Sequence, residues 1–148
     1  MNNSAFRLVR TGVLAFSALA LSAHAEEKNT SIEGAWRQVE QKNGGAKEYQ
    51  KLPTGTEMTN CIVAGRFIWT VSRDGKVLGV AGGRYKMKTD KWSETIDYVG
   101  GQGVPASFVG STFDFTVKVT GGTFTKVGTV PINGQEYKVD EKYERYIP

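Results

Sequence analysis

TFDFTVKVTGGTFTKVGTV, residues 112–130, alternates apolar and polar side chains ahead of a Gly-Gly pair. Phe113, Phe115, Val117 and Val119 fall on one face, with Asp114, Thr116 and Lys118 on the other. A period of two marks a strand with one face against a core. The stretch therefore predicts a hairpin, Thr112–Thr120 paired with Thr123–Val130 across Gly121-Gly122.

The same pattern extends toward both ends. Glycines recur roughly every ten residues, separating short runs rich in Val, Ile, Thr and aromatic residues. Strands are predicted at Gly34–Glu40, Glu57–Val63, Arg66–Ser72, Lys76–Ala81, Arg84–Lys88, Lys91–Val99 and Glu136–Ile147. Ala64-Gly65, Asp74-Gly75, Thr89-Asp90 and Asn133-Gly134 supply tight turns, and Asp-Gly favours the type I′ geometry. Gly82-Gly83 reads as a bulge or a corner. Gln41–Gly55 reads as a loop crossing one end, and Gly100–Gly110 as a flexible loop. No segment after residue 25 carries a sustained helical period. The expectation is all-β: an antiparallel up-and-down barrel of about eight to ten strands.

Residues 1–25 differ in kind. Arg7 and Arg10 precede a short apolar run from Val13 to Leu21, followed by Ala23-His24-Ala25. This is the charge, apolar core and small-x-small order of a cleavable Sec signal peptide. The run is about half the ~20 residues that a membrane-spanning helix needs. The expected division is a leader over 1–25 and one barrel domain over 26–148, delivered to the periplasm or outside, with no integral membrane segment in the mature chain.

Removing the leader changes the chemistry available. Its two arginines leave 17 of the 19 basic residues against 15 acidic ones, so the mature net charge is about +2. Basic and acidic residues are interspersed, which argues against a nucleic-acid partner. The only histidine, His24, departs with the leader. Histidine-based nucleophile systems and His-ligated metal centres are thereby excluded, and no metal or other cofactor is expected. Gly79-Val80-Ala81-Gly82-Gly83 precedes no helix pattern, so it is no phosphate-binding loop. Cys61 is the single cysteine; no intrachain disulfide can form, and its expected place is as a small buried hydrophobe.

Gly34-Ala35-Trp36 resembles the Gly-x-Trp signature of the lipocalin and calycin superfamily. Arg145 stands in the last strand, where such proteins place an arginine over that tryptophan; Gly34, Trp36 and Arg145 would form a structural clasp. The chain is similar, more closely, to a bacterial family described as lipocalin-like domain proteins. The matching stretches include Gly34–Arg37, Arg66–Thr70, Ala81–Tyr85, Trp92–Tyr98, Phe113–Phe115 and Tyr143–Arg145, with Asp74–Val77. Ala35 departs from the more usual Thr. The resemblance implies an exported barrel and transfers no catalytic residues.

Alternation assigns the candidate site. Phe67 and Trp69 share a face with Val71, as do Phe113 with Phe115, and Trp92, Glu94 and Ile96 with Tyr98; Tyr85 pairs with Met87. In the last strand Tyr137, Val139, Glu141, Tyr143 and Arg145 lie together. The candidate ligand-binding set is Phe67, Trp69, Tyr85, Glu94, Tyr98, Phe113, Phe115, Tyr143 and Arg145. Charges on apolar faces serve either as structural ion pairs or as polar anchors inside a cavity. An Arg145–Tyr143 anchor would suit a carboxylate, hence a small hydrophobic or amphipathic, fatty-acid-like ligand. Two other readings stand beside it: a cyclase- or isomerase-like enzyme with Glu94 as base, and a filled barrel binding an envelope partner through its two long loops. Expression of the full chain in a Sec-competent bacterium is expected to yield a product beginning at Glu26, checked by intact mass; a product retaining residues 1–25 would overturn the leader.

Overall fold

A computed structural model describes residues 31–42, 46–132 and 134–146. The expected leader over 1–25, the turn residue Asn133 and the strand residue Ile147 lie outside these. Among the described residues, nine strands form a single antiparallel sheet: β1 (Gly34–Gln41), β2 (Gln50–Lys51), β3 (Thr56–Val63), β4 (Arg66–Arg73), β5 (Lys76–Lys88), β6 (Lys91–Gly100), β7 (Thr112–Thr120), β8 (Thr123–Ile132) and β9 (Gln135–Arg145). Each barrel strand pairs with the next, and β9 returns to pair with β1. Eight strands thus close into an up-and-down barrel of the lipocalin-like kind. β2 is a short addition that flanks the far end of β1, with Glu40 opposite Lys51.

Local chemistry explains the corners. Asp74 and Gly75 both have positive φ, 49° and 75°, as a type I′ hairpin requires. The two strands expected on either side of Gly82-Gly83 are one continuous strand, β5. The bulge at this point belongs to its neighbour: Gly83 pairs with Ile96 and Gly82 with Tyr98, leaving Asp97 as the extra residue of β6. Gly83 is required there, because a Cβ would collide with the backbone carbonyl of Thr95. Outside the barrel, Arg66 and Arg84 hold Asp97 at 2.8 and 3.0 Å.

The bulge inverts the facing of the residues beyond it. Alternation predicts Tyr98 inward with Trp92, Glu94 and Ile96; it lies instead on the outer face, 48% exposed, with its phenol over Gly82. Cys61 is also corrected. It is exposed, because Asn60 and Ile62 take the inward positions of β3.

One end of the barrel is filled. Trp36 is fully buried, edge-on to Phe124 at 4.8 Å, and Phe124 stacks on Tyr143 at 4.3 Å. Tyr85 stacks on Trp92 at 4.1 Å, and Phe67 meets Trp92 edge-on. The segment Ser31–Glu33 straps across this end. The Trp36 indole donates to the Ile32 carbonyl at 2.7 Å. Arg145 lies over the Trp36 ring at 4.2 Å and donates to the carbonyls of Ser31 and Glu33. Gly34 adjoins this contact: a Cβ there would strike the Arg145 guanidinium.

Arg145→Ala removes a cation–π contact and two charge-assisted hydrogen bonds, and is expected to destabilise the protein by about 2 kcal/mol. Arg145→Lys should recover less than half of that, since an ammonium cannot reproduce the planar fork. Urea midpoints measure both; equal stability of Arg145→Ala and the parent would show that the clasp does not hold the barrel closed.

Candidate functional site

The opposite half of the barrel is hollow. A cavity of about 300 Å³ lies between the aromatic layer and the open end. Its walls are Trp69, Val71, Ile96, Phe113 and Phe115, and Val130, Ile132 and Val139 complete them from β8 and β9. Leu78, Val104, Phe108 and Tyr137 surround the mouth. This volume is at the lower limit of the range of about 300–1,000 Å³ found for small-molecule sites.

The β6–β7 connection forms one side of the mouth and is tied to the barrel by backbone hydrogen bonds. Gly103 N–H donates to the Leu78 carbonyl at 3.0 Å, and Gly110 N–H to the Ile96 carbonyl at 2.8 Å. A 3₁₀ turn at Ala106–Phe108 brings Phe108 edge-on to Phe113, centroids 5.0 Å apart. Val104 is 8% exposed and rests against Gly79, whose missing side chain makes the room.

Three ionisable side chains meet at the floor. Lys126 Nζ is 2.8 Å from Glu94 Oε2, and both side chains are under a tenth exposed. The Trp92 indole N–H donates to the same oxygen at 2.9 Å, and the ammonium sits 4.0 Å over the Phe115 ring. Glu141 lines the cavity nearby, its Oε2 accepting the Tyr143 hydroxyl at 2.8 Å. Burial pushes the Glu141 carboxyl above the usual carboxylate range; Lys126 and the Tyr143 hydrogen bond oppose this, while Glu94 adds to it. Burial raises the Tyr143 hydroxyl well above its usual value, reinforced by Glu141. Below the floor, Asn60 Oδ1 is buried without a partner and faces a void of about 10 Å³ that Lys126 also borders. That is near the volume one water molecule occupies.

The nine residues proposed from sequence divide into three groups. Trp69, Glu94, Phe113 and Phe115 line the cavity. Phe67, Tyr85, Tyr143 and Arg145 belong to the filled end, Tyr143 touching the floor only through Glu141. Tyr98 is outside. The Arg145–Tyr143 carboxylate anchor is thus absent from the cavity, because Arg145 is turned over Trp36. Sequence reasoning missed Lys126. Its signal was available: Phe124, Lys126, Gly128 and Val130 alternate against threonines and Val127.

Among the described residues, no group of three or more His, Cys, Asp or Glu is placed to hold a metal ion. Among them, too, no helix is long and apolar enough to cross a membrane. Comparisons with protein-family models, curated proteins and solved structures give no match.

Lys126→Met leaves Glu94 buried without its cation and is expected to cost about 3 kcal/mol, whereas Glu94→Leu with Lys126→Met should recover most of it. A double-mutant cycle in urea gives the coupling; strictly additive losses would dissolve the pair. Glu141 carries a pH signature. Its folded pKa is raised, so the native state holds the proton more tightly than the unfolded chain, and stability falls as pH rises through the folded value. Glu141→Gln is therefore expected to stabilise the protein at neutral pH, with the gain vanishing below the unfolded carboxyl range; a gain independent of pH would contradict the assignment.

Proposed function

We propose that this chain is an exported, lipocalin-like carrier that holds a small, largely apolar molecule in the open half of its barrel. The observation that carries the reading is the cavity of about 300 Å³, with apolar walls and a charged floor, behind a partly covered mouth. An apolar chamber with a few fixed polar groups is the usual composition of a ligand site. A protein selected only for stability would fill it, since unfilled apolar volume lowers stability by about 24 cal/mol per Å³. The leader sequence supports export, and the Gly34–Trp36–Arg145 clasp supports membership in the lipocalin-like family.

The ligand called for by the residues is amphipathic. Its apolar body suits the walls, and its head group would meet Glu94, Lys126 and Glu141 in place of arginine. The enzymatic alternative gains nothing from this geometry, because Glu94 Oε2 already accepts from both Lys126 and Trp92.

Val139→Trp directs an indole into the chamber from β9 and is expected to weaken binding of an environment-sensitive apolar dye at least about tenfold while leaving the thermal midpoint unchanged or higher. Unaltered dye binding in a folded variant would place the dye, and the function, elsewhere.

A further inference from the structure

The charged floor selects the head group. Glu94, Lys126 and Glu141 are the charged residues among those lining the cavity. Lys126, the single cation, is already engaged by Glu94 at 2.8 Å and held against Phe115. With all three ionised the floor carries one net negative charge. An entering carboxylate would add a second between apolar walls, with the one ammonium already committed. An entering ammonium would bring the sum to zero. Buried charge is tolerated only when paired, so the count favours a cation.

Hydrogen-bonding capacity points the same way. The donors Lys126, Trp92 and Tyr143 reach one oxygen of each carboxylate, Oε2 in both cases. A carboxylate accepts at two oxygens. What the floor offers an entering molecule is therefore acceptors, and Glu141 is the carboxylate without an ion-pair partner of its own. The charged groups around it are Lys126, its register partner on β8, whose ammonium is bonded to Glu94, and the carboxylates Glu94 and Asp140; on β1 its partner is the neutral Gln41, and the Tyr143 hydroxyl also faces Met58 of β3. Asp140, adjacent on β9, points outward to Lys42 and Tyr49.

Resting on the carrier reading, we propose that the cavity is built for a hydrophobic amine, whose ammonium pairs with Glu141 while its apolar body fills the walls. Glu141 then has to be ionised in the complex. Binding releases a proton wherever the free protein holds one there, and affinity for the amine falls as pH drops. The raised position of this carboxyl agrees with that direction.

The test uses three probes of equal chain length, octylamine, octan-1-ol and octanoate, titrated calorimetrically into the mature protein and into Glu141→Gln. Octylamine is expected to bind about tenfold more tightly than the alcohol, with octanoate weakest. In Glu141→Gln the amine should lose its advantage over the alcohol, and titrations of the parent in buffers of different ionisation enthalpy, run across the pH range in which the free carboxyl takes up its proton, should reveal proton release with the amine alone. Octanoate binding as well as octylamine, or an amine preference that survives in Glu141→Gln, overturns the assignment and leaves the carrier reading in place. If none of the three probes nor the apolar dye binds, the carrier reading falls and the amine site with it.

Discussion

The barrel exists because its first and last strands find each other. Gly34–Gln41 and Gln135–Arg145 are separated by most of the chain, yet Trp36 and Arg145 are direct register partners. Closing the sheet removes the unpaired edges that an open one presents. The contact that fixes this register is the guanidinium over the indole, with its two hydrogen bonds to the Ser31–Glu33 strap. A slip of one residue would turn Trp36 and every inward side chain of β1 to solvent. The clasp therefore seals one end and sets the register of the closing pair at once.

The distribution of space follows from which end is sealed. Trp36, Phe124, Tyr143 and Trp92 put their bulk on the clasp side, where the β3–β4, β5–β6 and β7–β8 connections are tight turns. The two long connections, between β1 and β3 and between β6 and β7, are both at the other end. Small residues accompany them there: Gly79 and Gly128 take inward positions on β5 and β8. Large side chains at one end and small ones at the other leave the barrel half solid and half hollow, a division that composition alone does not give.

Period-two alternation makes the fold legible. Strand positions, the hairpin at Thr112–Val130 and the Trp36–Arg145 clasp are all readable, because each depends on local pattern or on one residue pair. The illegible parts depend on where a strand changes phase. Alternation carried past Asp97 places Tyr98 inside; the bulge permitted by Gly83 places it outside. Alternation gives Arg145 two roles, and only the closing register decides that it serves the clasp. Lys126 escapes notice because a lysine between threonines reads as surface until its strand is phased through Phe124 and Val130.

The ion pair at the floor needs a reason beyond stability. A buried Glu–Lys pair is commonly no better than two apolar residues of the same volume, since desolvating both charges offsets their attraction. The solid end shows that this chain can fill barrel interior with aromatic residues alone. Charges nevertheless occur where that filling stops, at the boundary between packed core and chamber, with Glu141 beside them. On the carrier reading that position has a use: the aromatic layer below holds the charges in place, and the chamber above leaves one side of each open to an incoming molecule. The polar floor is in that sense the continuation of the clasp: the seal at one end supplies the rigid base on which a small set of charges can be held facing the other.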